Sequence, residues 1–74
     1  MTTEQLQGAI HAVLFIPFVL RAADGQEIRV PHPDFIAHRP GARTAVVWMP
    51  DDSIKIIDLL LVGTLDLAQP AASS

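Results

Sequence analysis

Residues 18–30, Phe-Val-Leu-Arg-Ala-Ala-Asp-Gly-Gln-Glu-Ile-Arg-Val, constrain the fold more than any other stretch. Asp24-Gly25 sits between two strand-like runs, the pattern of a β-hairpin. A two-residue loop would pair Leu20 with Arg29 and Arg21 with Ile28, mixing apolar and charged side chains on each face. A three-residue loop, Ala23-Asp24-Gly25, with Gly25 in the left-handed bulge position, pairs Leu20 with Ile28, Phe18 with Val30 and Arg21 with Glu27. The second register sets apolar against apolar and joins opposite charges, so Phe18, Leu20, Ile28 and Val30 are expected to face inward.

Upstream of the hairpin, Thr2 and Gln5 have capping-box spacing, and Met1 and Leu6 occupy the positions of a hydrophobic staple. Leu6, Ile10, Val13 and Leu14 fall on one helical stripe, with Glu4, Gln7 and His11 off it. Pro17 disfavours helical geometry at Ile16, so the spacing predicts a helix over residues 3–14. The uncharged run from Ala12 to Leu20 is half the length of a membrane span and contains Pro17. Only Glu4 precedes it as a charge, which excludes a signal-peptide reading.

Downstream, Pro31 and Pro33 cannot donate to a sheet, so the second strand is expected to bend there and resume at Phe35, Ile36 and Ala37. Pro40-Gly41 marks a turn. Thr44–Met49 is the clearest β-segment by composition and ends at Pro50-Asp51-Asp52. Residues 53–57 make another strand, Asp58 caps a single helical turn through Leu61, and Val62–Leu67 is the last strand. One short helix and five strands, the second strongly bent, predict a mainly β, small five-stranded barrel spanning residues 1–68, followed by a disordered tail, 69–74.

That order resembles the Sm-like family, in which an N-terminal helix precedes a five-stranded SH3-like barrel and a one-turn helix joins the last two strands. Residues 17–25, Pro-Phe-Val-Leu-Arg-Ala-Ala-Asp-Gly, match the family's first strand and turn, and residues 56–65 resemble its final strand–turn–strand. The resemblance implies a ring of identical subunits. The Lys-His nucleotide contacts of the family's RNA chaperone have no counterpart here. A second resemblance spans nearly the whole chain. Residues 23–37, 41–44 and 51–62 are similar to a family of short uncharacterised bacterial proteins that share the patterns ADGR, VPHPEF and IIDLLLV. Val13, Leu14 and Ile16 are more apolar than that pattern, as are Trp48 and Met49. Such replacements suit a surface remodelled for association, by evolution or by design.

Composition narrows the function classes. The chain has 74 residues and no cysteine, which excludes disulfides and thiolate zinc sites and fits a reducing cytoplasm. A domain this short often needs a partner for stability, and a second copy of itself is the simplest. Net charge is −3, and Arg21, Arg29, Arg39 and Arg43 do not form a basic cluster, so nucleic acid is a disfavoured partner. These four arginines remain the candidate contacts of an alternative, an RNA-binding ring. His32, Asp34 and His38 are the candidates for another, a small metal-binding protein. The bend chemistry of Pro-His-Pro-Asp accounts for them without a metal, and no cofactor is expected. Asp51-Asp52 has no third ligand in view. No phosphate-cradling glycine loop or nucleophile elbow is present, and the only serines are Ser53, Ser73 and Ser74.

Trp48 remains, on a strand that alternation makes apolar on both faces: Ala45, Val47 and Met49 on one, Thr44, Val46 and Trp48 on the other. Such a strand implies a covering helix, a neighbouring subunit or both, and Trp48 either closes the barrel mouth or joins an interface. Phe15 is expected where helix meets barrel, and Ile16 and Val19 have no place inside one subunit. Val13, Leu14, Phe15, Ile16, Val19, Trp48 and Met49 are therefore the candidate interface of a non-enzymatic, self-associating small barrel.

Overall fold

The hairpin forms in the expected register. In the computed structural model, which describes residues 1–68, β1 (Phe18–Ala22) pairs antiparallel with β2 (Glu27–Val30). Phe18 faces Val30, Leu20 faces Ile28 and Arg21 faces Glu27. Ala22 N–H donates to the Gln26 carbonyl at 2.9 Å and closes the three-residue loop, with Gly25 left-handed at φ +91°. A Cβ at Gly25 would meet nothing within 4 Å, so only backbone strain opposes substitution. Gly25→Ala is expected to cost about 1–2 kcal/mol in urea unfolding, the strain of a left-handed L-residue. A cost near zero would show that the loop re-forms in another turn type.

The helix is correctly started and ends early. The capping box is present: Gln5 N–H donates to Thr2 Oγ1 at 3.1 Å and Thr2 N–H to Gln5 Oε1 at 3.0 Å. α1 covers Thr3–Ile10 rather than residues 3–14, with His11 as its C-cap. Leu6 and Ile10 are buried, whereas Val13 and Leu14 are 102% and 83% exposed. A helix this short is stabilised by its packed face. Beyond Ile10 the stripe meets no core, and residues 12–17 instead carry the chain to β1.

Among the described residues six strands form where five were expected. Pro31 and Pro33 break the second strand, and a single 3-10 turn, Pro33–Phe35, separates β2 from β3 (Ile36–His38). Phe35 belongs to that turn rather than to the strand. β4 (Thr44–Trp48) and β5 (Ile54–Asp58) follow, then a 3-10 turn at Leu59–Leu61 and β6 (Val62–Leu67). The strands make two antiparallel three-stranded sheets, ordered β2-β1-β6 and β3-β4-β5. The bend links β2 to β3 and the Leu59–Leu61 turn links β5 to β6, so each sheet passes into the other at two corners. The segment expected to be a tail, 69–74, lies outside the described residues.

The core lies between the sheets. Phe18, Leu20, Ile28, Val30 and Val62 come from the first, Ile36, Ala45 and Val47 from the second, and Leu59 from the β5–β6 connection. Leu6 and Ile10 of α1 complete it, with Met1 and Phe15 packed at its margin. Gln7 Nε2 ties the helix to β3, lying 2.8 Å from His38 Nδ1 and 3.0 Å from the His38 carbonyl. The Leu59–Leu61 turn is held by Asp58, whose Oδ1 accepts from Leu60 N–H at 3.0 Å, as expected of a cap. That bond, with Arg43 at 2.9 Å, holds the Asp58 carboxyl below the usual carboxylate range.

Candidate interaction surface

The outer faces of the two sheets differ in chemistry. On the first sheet the side chains opposite the core are Val19, Arg21, Glu27, Arg29, Thr64 and Asp66, matched strand to strand by the register. Arg21 sits between Glu27 and Asp66 and bonds to both carboxylates. This face is solvated and charge-balanced. On the second sheet the register aligns Ala37, Val46 and Ile56 across three strands, with Trp48 and Ile54 on the next rung. Ile56 is 74% and Ile54 55% exposed. Alternation explains the pattern: Ala45 and Val47 point to the core, leaving Val46 and Trp48 outside. Among the described residues no helix covers this face, since α1 packs into the core and is tied to the far end of β3.

Phe35, at the β2–β3 bend, adjoins Trp48. Together with Arg29, Pro31, Met49 and Pro50 they line a cleft of about 230 Å³. Asp34 and Asp52 lie along its continuation beside the same aromatic pair. Asp52 is left-handed at φ +72°, a conformation Asp tolerates in turns. A second apolar groove, about 310 Å³, runs between α1 and β6 and is lined by Ala9, Leu14, Ile16, Leu65 and Leu67, among others.

The residues expected at an interface thus divide. Leu14 and Ile16 line the α1–β6 groove, with exposed Val13 beside them, and Trp48 and Met49 line the cleft at the end of the second sheet. Phe15 is half-buried, its ring centroid 5.8 Å from Phe18 and 6.4 Å from His32. Val19 stands apart from both groups, half-buried on the polar outer face of the first sheet between Arg29 and Asp66. Ile54, Ile56, Leu60, Leu61 and Leu67 are exposed apolar residues that the linear reading passed over. The signal for Ile54 and Ile56 was present: residues i and i+2 of a strand share a face, and pairing with β4 puts them beside Trp48 and Val46.

The arginines do not gather. Arg21 is held on the first sheet, and Arg43 pairs with Asp58 at 2.9 Å on the second. Among the described residues Arg29 and Arg39 form no ion pair. His32, Asp34 and His38 are not brought together as a ligand set either. His32 Nδ1 accepts from Asp34 N–H at 3.1 Å and caps the 3-10 turn, with the Asp34 carboxylate 3.5 Å away. His38 Nε2 lies 2.7 Å from the Ala42 carbonyl and its Nδ1 faces the Gln7 amide. A carbonyl only accepts and an amide NH₂ only donates, so His38 is the Nε2–H tautomer with both nitrogens occupied. Among the described residues no three His, Cys, Asp or Glu side chains are placed to hold a metal ion.

Compared with protein families, curated proteins and solved structures, the chain matches none. Among the described residues no helix is long and apolar enough to cross a membrane.

Proposed function

We propose that the chain is a non-enzymatic, self-associating small barrel that builds a closed symmetric homo-oligomer, a ring, and serves as a structural or interaction module. One observation carries this reading: among the described residues ten large apolar side chains are exposed, while two strand edges, β5 and β6, flank the same corner. Apolar patches on a small domain, here the α1–β6 groove and the second sheet's outer face, mark contact sites. The barrel reading is supported by the two corners at which the sheets pass into one another. In the ring, the β5 edge of one copy adds to the β6 edge of the next, a head-to-tail contact that removes both edges from solvent. The α1–β6 groove, with Leu14 and Ile16, borders that seam. Native mass spectrometry at micromolar concentration tests the proposal. A single closed species of roughly five to eight copies is expected, the range of small closed rings. A monomer would overturn it.

A further inference from the structure

The outer face of the second sheet stands perpendicular to the in-plane β5 edge used in that ring, and its charges are distributed in a way that selects a partner. β4 runs from a basic turn to an acidic one. Before it stand Arg39 and Arg43, both exposed, with Asp58 paired to Arg43. After it stand Asp51 and Asp52, also exposed. Two positive groups less one negative leave +1 at the first end; at the second, Asp51, Asp52 and the neighbouring Asp34, less Arg29 on the same cleft, leave −2. Asp51 is held in its charged form by Ser53, whose N–H and hydroxyl both donate to Oδ1. Between the ends the face is apolar: Ala37, Val46, Ile56, then Trp48 and Ile54.

We propose that this face is covered by the same face of a second copy, related by a two-fold axis near the Val46–Ile56 rung that sets β4 antiparallel to β4 of its partner. Stacked sheets pack about 10 Å apart with nearly aligned strands. In the antiparallel orientation each basic turn meets the partner's acidic turn, at both ends of the contact. In the parallel orientation like charges would face each other at both ends. Charge complementarity therefore chooses the antiparallel orientation, and the apolar centre supplies the contact area. The first sheet has no such option, because its outer face is already occupied by the Glu27–Arg21–Asp66 bridge. The contact is independent of the ring's edge pairing; where both form, two rings stack face to face through it and the species of roughly five to eight copies doubles.

Two variants of the full chain test the proposal. Ile56→Lys alters a side chain that is exposed in the protomer, so the fold survives it. It is expected to lower the native mass by about half, the loss of one two-fold contact. Dilution of the parent protein through the same transition is expected to shift Trp48 emission to the red, as the indole leaves the interface. Arg39→Glu and Asp52→Lys give a second, independent test. Arg39→Glu alone sets −1 against −2 at both ends, and Asp52→Lys alone sets +1 against 0. Mixed, one end carries +1 against −2, so the mixed pair is expected to associate more tightly than either variant with itself. Asp52→Lys alone fixes the orientation: it weakens self-association of the antiparallel contact, where +1 against −2 becomes +1 against 0, whereas it would strengthen a parallel one, where −2 against −2 becomes 0 against 0. Unchanged mass for Ile56→Lys, or no preference in the mixture, would overturn it. If Ile16→Arg breaks the assembly while Ile56→Lys does not, the ring reading stands and the face contact falls. If only Ile56→Lys acts, the reverse holds. A monomeric parent at about 100 μM, a concentration at which even weak specific contacts form, overturns both.

Discussion

Phe18→Ala is expected to destabilise the protomer by about 3–5 kcal/mol, enough to unfold much of the population at room temperature. Phe18 is 1% exposed and lies at the centre of the first sheet, where β1 pairs it with Val30 on one side and Leu67 on the other. Its ring also packs against Phe15 at the entry to β1. Truncation removes buried apolar surface and leaves a cavity that two flanking strands and the linker cannot all close. A domain of this length has roughly 3–10 kcal/mol of total stability, at about 0.05–0.15 kcal/mol per residue, so the loss is a large share of it. Val13→Ala, at a fully exposed position, is the control and is expected to stay within about 0.5 kcal/mol. Circular dichroism during thermal and urea unfolding reads both. A Phe18→Ala protein that melts within a few degrees of the parent would mean that the core between the sheets is misassigned.

Ile16→Arg is expected to have the largest effect on assembly. Ile16 is exposed, lies one residue before Pro17, and lines the α1–β6 groove with Leu14, Leu65 and Leu67. In the proposed ring this groove borders the β5–β6 seam, so arginine would place an unpaired charge in an apolar contact. Disrupting an apolar hot spot costs about 2 kcal/mol or more, a weakening of roughly 30-fold in each subunit contact. A closed ring needs every contact, and sedimentation velocity should show mostly small species at micromolar concentration. The far-UV spectrum and melting midpoint of the protomer should be retained, because Ile16 contributes little to the core. An unchanged sedimentation coefficient would remove the groove from the interface and leave the ring without its apolar seam.

Much of the local structure was legible in the residues. The β1–β2 register followed from side-chain pairing alone: a shift by one residue would have placed arginine opposite leucine. The capping box at Thr2 and Gln5 and the Asp58 cap were legible because each rests on hydrogen bonds within three residues. The helix end was not. Val13 and Leu14 continue the periodicity of Leu6 and Ile10, and periodicity does not say where the core stops. The bend at Pro31 and Pro33 was foreseen, but whether it curves one strand or separates two depends on the hydrogen bonds of the 3-10 turn. His38 shows the same divide: its spacing from Asp34 suggested a ligand pair, whereas its partners, Gln7 and Ala42, come from α1 and from the following turn.

The candidate surface divides along the same line. That β4 is apolar on both faces was present in its alternation, and with it the expectation of something to cover the outer side. That Ile54 and Ile56 extend this face, that Arg21 neutralises the outside of the first sheet, and that basic and acidic turns stand at opposite ends of β4 depend on which strands become neighbours. Hydrogen bonds and steric preferences act over a few residues, so the sequence by itself determined turns, caps, register and facing. Which apolar side chains are buried is decided by how much core the folded chain can enclose. Two small sheets and a two-turn helix enclose only part of the apolar surface this chain carries, and the tertiary structure leaves the rest outside.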